Sequence, residues 1–174
     1  TGLSGSGKTT ISNEIKKLLN KDGYSVLIID GDIVRNQMHK NLTFSLEDIK
    51  MNNDLILNLC LKERKFYDFV LVSIISPYKS SRERARKKSA SKFYEVYCKA
   101  DMEVLIKRDT KGLYAKAIKG KIKNLIGFSP KTKYEPPDNP DIIIDSTNNT
   151  IEESTHKLIG FVKDNLDKAS INNV

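Results

Sequence analysis

Thr1-Gly2-Leu3-Ser4-Gly5-Ser6-Gly7-Lys8-Thr9 reads as a complete G-x-x-x-x-G-K-[ST] phosphate-binding loop. The spacing has a physical cause. Gly2 and Gly7 bracket a backbone that curls so that successive N–H groups, through Ser4, Gly5 and Ser6, face the β- and γ-phosphates of a nucleotide. Lys8 neutralises those phosphates, the Thr9 hydroxyl suits Mg²⁺, and a helix starts at its positive end with Thr10. An amphipathic stretch follows at once, with Ile11, Ile15, Leu18 and Leu19 on one face, as a loop-to-helix context requires. A loop of this kind hangs from the end of a buried strand, and no apolar run precedes Thr1. The expectation is therefore a first strand on the N-terminal side of Thr1, outside these residues.

The rest of the chain alternates helical and strand patterns, which predicts an α/β fold with a mainly parallel sheet. Strands are expected at Tyr24–Ile29 (ending at Asp30), Phe69–Ile75, Phe93–Cys98 and Ile142–Ile144. Helices are expected over 33–40, 46–63, 79–90 and 151–168, with a short one near Met102–Ile106. With the expected first strand this is a five-stranded P-loop NTPase-type three-layer sandwich. Residues 109–140 are polar, rich in glycine and proline, and carry Lys111, Lys116, Lys119, Lys121 and Lys123. That composition predicts a lid over bound nucleotide. The 174 residues form one domain with no internal repeat.

Composition narrows the function classes. Hydrophobic content of 39% and charged content of 30% suit a globular domain, and no apolar run approaches the length of a membrane-spanning helix. No signal peptide is evident, and Cys60 and Cys98 are too few for a disulfide framework, so reduced core cysteines and a cytoplasmic location are expected. His39 and His156 have no partner at ligand spacing. The net charge of +8 raises nucleic-acid binding. The lysines are dispersed, however, and no aromatic-basic module pattern appears, so a field that attracts polyanionic nucleotides is the better use of it. The densest cluster, Arg82, Arg84, Arg86, Lys87 and Lys88, is expected on a solvated helix face.

In open parallel sheets ligands collect at the carboxyl ends of the strands. That rule gathers the phosphate loop, Asp30-Gly31-Asp32, Ile75-Ser76-Pro77 and the lid on one edge. Two carboxylates at a strand end near a Mg-nucleotide can hold metal-bound water or orient an attacking hydroxyl. Arg35, one turn into the next helix, can grip an acceptor phosphate bidentately.

At this point the chain resembles the adenylylsulfate kinase family, along nearly its whole length. The matching segments are G-L-S-G-S-G-K-T-T at 2–10, D-G-D-x-x-R at 30–35, L-x-F-S-x-E-D at 42–48 and Asn52. They continue with I-S-P at 75–77, R-D-x-K-G-L-Y at 108–114 and Y-E-P-P at 134–137. The resemblance implies transfer of the γ-phosphoryl of MgATP to the ribose 3′-hydroxyl of a nucleoside 5′-phosphate bearing a second anionic group. It implies that Lys8 and Thr9 hold ATP and Mg²⁺, and that Asp32, beside Asp30, orients or deprotonates the hydroxyl. Arg35 and Asn52 would hold the acceptor, Phe44 would stack on its base, and Ile75 and Ser76 would line its sugar-phosphate. Arg108, toward ATP, and Lys111, at the reacting groups, would close from the lid. No covalent step is expected at Ser76, because in-line transfer needs only positioning and charge stabilisation. Dimers are common among relatives, so a homodimer is an expected assembly, although no apolar surface stripe marks its interface.

Two departures fall on the acceptor side. The family pattern F-S-x-x-D-R has an arginine where this chain has Ile49. The lid pattern F-T-G is matched by Leu125-Ile126-Gly127, with a two-residue insertion before Tyr134. A lost stacking partner costs roughly 1–3 kcal/mol per base, and a lost charge-assisted hydrogen bond about 1.5–3 kcal/mol. Phe128 and Lys50 are the nearest substitutes. A divergent branch of the family phosphorylates the 3′-hydroxyl of cytidine diphosphoramidate in capsule synthesis. A smaller pyrimidine suits a Phe44–Leu125 slot, so that acceptor is the sequence-level expectation, with adenylylsulfate as the alternative. The rival classes are a motor-type NTPase, which lacks an evident water-positioning residue, and a non-catalytic nucleotide- or RNA-binding module.

Overall fold

The computed structural model describes residues 1–38, 41–90 and 93–171, with side chains as far as Leu166. Eleven elements follow in order: α1 (Lys8–Lys21), β1 (Val26–Asp30), α2 (Gly31–Met38), α3 (Leu46–Glu63), β2 (Phe69–Ser73), α4 (Lys79–Ser89), β3 (Val96–Lys99), α5 (Met102–Arg108), α6 (Leu113–Ile118), β4 (Ile142–Asp145) and α7 (Ile151–Ile171). The fold is α/β with parallel pairing throughout. β1 pairs with β2, Val26 opposite Phe69 and Asp30 opposite Ser73; β3 pairs with β4, Val96 opposite Ile142 and Lys99 opposite Asp145.

Among the described residues the four strands form two parallel pairs, β1–β2 and β3–β4. Thr1 lies between them. Its amine donates to the Val96 carbonyl at 2.8 Å, and the Cys98 N–H donates to the Thr1 carbonyl at 2.9 Å. This is the alternation by which a parallel neighbour adds to the edge of β3. On the other side the Thr1 hydroxyl donates to the Ile75 carbonyl at 2.5 Å, just beyond β2.

Alternation along the strands feeds two cores, which makes the layered architecture. Val26, Phe69, Leu71, Cys98, Ile142 and Ile144 pack with Ile11, Ile15 and Leu19 of α1 and Leu158 of α7. On the opposite face Leu27, Ile29, Val70 and Val72 meet Val34 of α2 and Ile56 of α3. Helices on both faces of the strands explain why the strands are apolar almost without interruption. Two elements start later than their apolar runs suggest, β1 at Val26 and β3 at Val96, because the ladder begins only where a partner strand is present. The helix expected over 33–40 starts at Gly31 and is described to Met38; His39 lies outside the described residues. The 109–140 segment is not wholly irregular, since it contains α6.

Leu19 is fully buried in the α1–α7 core. Leu19→Ala removes its contacts and leaves a cavity, so urea denaturation should show a loss of about 2–5 kcal/mol of stability.

Candidate active site

The phosphate loop is shaped by close backbone approach. Gly2 has φ 147°, and a Cβ there would collide with the Cys98 carbonyl oxygen and the Ser6 hydroxyl, so the loop lies directly against β3. Gly7 occupies the N-cap of α1 in the left-handed conformation at φ 87°, and no side chain caps the helix. The first-turn N–H groups of Lys8, Thr9 and Thr10 therefore face outward as an anion site. Ser6 adds a fully buried hydroxyl with no hydrogen-bond partner among the described residues. The Ser4 carbonyl is fixed by the hydroxyl of buried Tyr114, at 2.9 Å. A polyphosphate fits this cradle.

Lys8 curls back over the loop, its Nζ donating to the carbonyls of Gly2 at 2.9 Å and Leu3 at 2.8 Å. Burial, aided by the charge of Lys111, pushes its ammonium down to about 8. The Thr9 hydroxyl donates to Asp30 Oδ2 at 2.7 Å, while Asp30 Oδ1 accepts from the Asp32 N–H at 2.9 Å. Asp30 is buried and so joins α1 to the start of α2. Gly31 makes that junction sterically feasible: a Cβ there would sit 2.7 Å from Ile74 Cγ2. Thr9 and Asp30 are hard oxygen donors suited to Mg²⁺. Among the described residues no group of three or more His, Cys, Asp or Glu side chains gathers as a metal cage. An ion here would thus take most of its ligands from phosphates and water, which is how Mg²⁺ is usually held.

Asp32 and Lys111 form an ion pair across 79 residues, which brings the lid to the second carboxylate. Both side chains are about half exposed or more, so the pair opens at a cost of about 0–1 kcal/mol. Arg108 turns to the far side and donates to the Ser146 carbonyl and, at 3.2 Å, to its hydroxyl, at the end of β4.

Arg35 donates to the carbonyls of Leu42 (2.8 Å) and Thr43, and its guanidinium lies 4.2 Å from the centre of the Phe44 ring. The Phe44 loop is held by a local exchange: the Ser45 hydroxyl accepts from the Asp48 N–H at 3.1 Å, and the Asp48 carboxylate accepts from Thr43. Those bonds hold the Asp48 carboxyl below its ordinary range. Asn52 is buried on α3, and its neighbour Asn53 reaches the Ser76 hydroxyl at 3.5 Å. Ser76 is itself buried and adopts φ 42°, a strained value for a residue with a side chain.

Of the two residues expected to form a slot, Phe44 is exposed under Arg35, and Leu125 is buried with Leu105 and Tyr114. Ile49 is likewise buried, against Tyr78 and Ile126. Phe128 packs edge-on against Tyr114, and Lys50 lies 5.9 Å from the centre of the Tyr78 ring. The basic cluster of α4 also needs correction. Arg82 is only 6% exposed, held by Glu95 and by two backbone carbonyls. Arg82 and Arg86, four residues apart, both reach Glu95, and that i, i+4 spacing was the only sequence signal that they share a face.

Comparison with known proteins agrees with this arrangement. The family model of adenylylsulphate kinase matches residues 1–145. A probable adenylyl-sulfate kinase of Pyrococcus abyssi is 43% identical over 164 residues, covering 94% of this chain and 92% of that protein. An adenylyl-sulfate kinase of Halothermothrix orenii is 42% identical over 168 residues, covering 94% and 87%. The structure of the Mycobacterium tuberculosis APS kinase in complex with AMPPNP and APS superposes with a TM-score of 0.80 at 33% identity, covering 94% of each chain.

A buried lysine that titrates near 8 gives nucleotide binding a proton signature. Below that pH Lys8 already carries its charge; above it the free protein has lost the proton and the bound phosphates restore it. Calorimetry of a non-hydrolysable ATP analogue in buffers of different ionisation enthalpy should show proton uptake that grows as pH rises past 8. The dissociation constant should weaken by roughly tenfold from pH 7 to 9.

Proposed function

Because the chain belongs to the adenylylsulfate kinase family, and is thus an ATP-dependent kinase with a hydroxyl acceptor, we propose that it phosphorylates the ribose 3′-hydroxyl of adenylylsulfate. The observation that carries this is the convergence of three elements at one point. Lys8 and Thr9 of the phosphate loop, Asp30 and Asp32 at the end of β1, and Lys111 of the lid meet through the Thr9–Asp30 bond and the Lys111–Asp32 ion pair. A carboxylate beside a phosphate cradle, countered by a mobile cation, is what in-line phosphoryl transfer to an alcohol needs.

In this scheme the open first turn of α1 and Lys8 hold the β- and γ-phosphates. Thr9, with Asp30 behind it, would hold a Mg²⁺ ion, which would supply neutralisation of charge on the phosphates. Acceptor binding exchanges the Lys111–Asp32 contact: Asp32 accepts the proton of the 3′-hydroxyl and orients its oxygen, and Lys111 turns to the charge developing on the transferred group. Arg35 and Asn52 hold the acceptor's anionic part, Phe44 offers its ring to the base, and Ile75 and Ser76 line the sugar-phosphate. Ser76 keeps a positioning role with no covalent step.

Adenylylsulfate takes precedence over the cytidine diphosphoramidate expected from the sequence, because relatives about 43% identical across nearly the whole chain carry the adenylyl-sulfate kinase name. The cytidine compound remains the second reading on one observation. Ile49 and Leu125 are both buried in apolar clusters, so neither offers a charge or a second stacking surface.

Two measurements test this. With MgATP, kcat/KM should be higher for adenylylsulfate than for cytidine diphosphoramidate; the reverse order selects the second acceptor, and turnover of neither removes the proposal. Asp32→Ala should lower kcat by about 10²–10⁴-fold. Because its ion pair is exposed, the MgATP dissociation constant should stay within about threefold. Near-normal turnover would remove Asp32 from the chemistry.

A further inference from the structure

Arg82 lies outside every motif that matched the family, yet its guanidinium joins three separate segments. It stands in the first turn of α4, and its three donor nitrogens go to three separate segments. Nε donates to Glu95 Oε1 at 2.6 Å, just before β3. Nη1 donates to the Ser76 carbonyl at 2.7 Å, and Nη2 to the Glu135 carbonyl at 2.7 Å. Around it the acceptor loop and the returning limb of the lid are joined twice more. The Glu135 N–H donates to the Pro77 carbonyl at 2.8 Å, and the Lys79 N–H to Glu135 Oε2 at 2.7 Å. The guanidinium also lies 5.9 Å from the centre of the Tyr134 ring, whose hydroxyl is 3.0 Å from the Thr1 hydroxyl.

Buried cations are rare because desolvation is costly, and they persist where every donor is matched. Here two of the three matches are backbone carbonyls, one of them on a strained residue. Ser76 at φ 42° needs its surroundings to hold it. Asn53 holds its hydroxyl, and Arg82 holds its carbonyl. Without the latter, the Ser76 carbonyl keeps only the longer bond from the Thr1 hydroxyl, at 3.4 Å, and the peptide can relax toward an ordinary conformation, which re-aims the N–H and side chain at this position.

We propose that Arg82 is a positioning residue for acceptor binding: it fixes the Ser76 backbone in its left-handed conformation and locks the lid's return limb to the acceptor loop. The proposal rests on the reading that Ile75 and Ser76 line the acceptor site. The planar fork of guanidinium is essential to it, since a lysine ammonium at this place can keep the Glu95 ion pair yet cannot span both carbonyls. The ion pair and the carbonyl contacts therefore separate experimentally.

The test compares the full chain with Arg82→Lys and Glu95→Gln. Arg82→Lys should raise the KM for the acceptor nucleotide by about tenfold or more, with the MgATP dissociation constant within about twofold. Glu95→Gln, which keeps an acceptor for Nε–H, should lower the melting temperature and leave the acceptor KM within about twofold. Hydrogen exchange of the free proteins should show faster exchange at 76–78 and 134–136 in Arg82→Lys and not in Glu95→Gln. If Arg82→Lys fails to fold, Arg82→Gln, whose shorter side chain cannot span the Ser76 and Glu135 carbonyls, takes its place in both measurements. Wild-type acceptor KM and exchange in the Arg82 variant would overturn the proposal. So would an equal rise of KM in Glu95→Gln, or a parallel loss of ATP and acceptor affinity. Should the wild-type protein turn over no acceptor, the functional reading fails, while the exchange measurement still decides whether Arg82 is the clamp.

Discussion

One buried carboxylate joins the two halves of this site. Asp30 receives the Thr9 hydroxyl on one oxygen and the Asp32 N–H on the other, so the phosphate loop and the start of α2 are fixed relative to each other by a single side chain. Its place at the end of β1 is set by the parallel ladder with β2, where Asp30 stands opposite Ser73. The Ser73 hydroxyl in turn meets Ser12 of α1 at 2.7 Å. Distances between donor phosphate and acceptor hydroxyl decide the rate of an in-line transfer. A rigid link of this kind is therefore worth more to catalysis than its modest contribution to stability.

Residues 109–140, the proposed lid, are held on the opposite principle. One of their contacts is the exposed Lys111–Asp32 pair, which water and salt weaken readily. Toward the two ends of the segment, buried Tyr114 is hydrogen-bonded to the phosphate loop, and the Glu135 N–H donates to the Pro77 carbonyl.

What was legible in the sequence follows from how local each interaction is. The phosphate loop and D-G-D could be read because neighbouring residues form them and their glycines are required by nearby contacts, Gly2 with Cys98 and Gly31 with Ile74. The four strands were visible as apolar runs, but their first residues were not, since Val26 and Val96 are strand only where Phe69 and Ile142 pair with them. Arg82 was misplaced on a solvated face because its partners, Glu95 and two carbonyls, are brought to it only by the tertiary fold. The packing of Leu125 on Leu105 and Tyr114 was equally invisible, because those partners are brought together only by the fold.

This contrast bears on how such a site changes its acceptor. The donor half consists largely of backbone N–H groups, a lysine and a carboxylate-hydroxyl pair within the first 32 residues, and almost any substitution there disturbs phosphate binding. On the proposed reading the acceptor half is spread over the Phe44 loop, α3, the end of β2 and residues 109–140, where Ile49 and Leu125 belong to local apolar clusters. Ile49 shows the consequence. An apolar side chain there packs with Tyr78 and Ile126 in a buried cluster, so on the proposed reading a polar contact to the acceptor is replaced by core packing. Chemistry and acceptor choice are then separable by construction: the first is fixed by short-range geometry that tolerates little, the second by side chains whose loss the core can absorb.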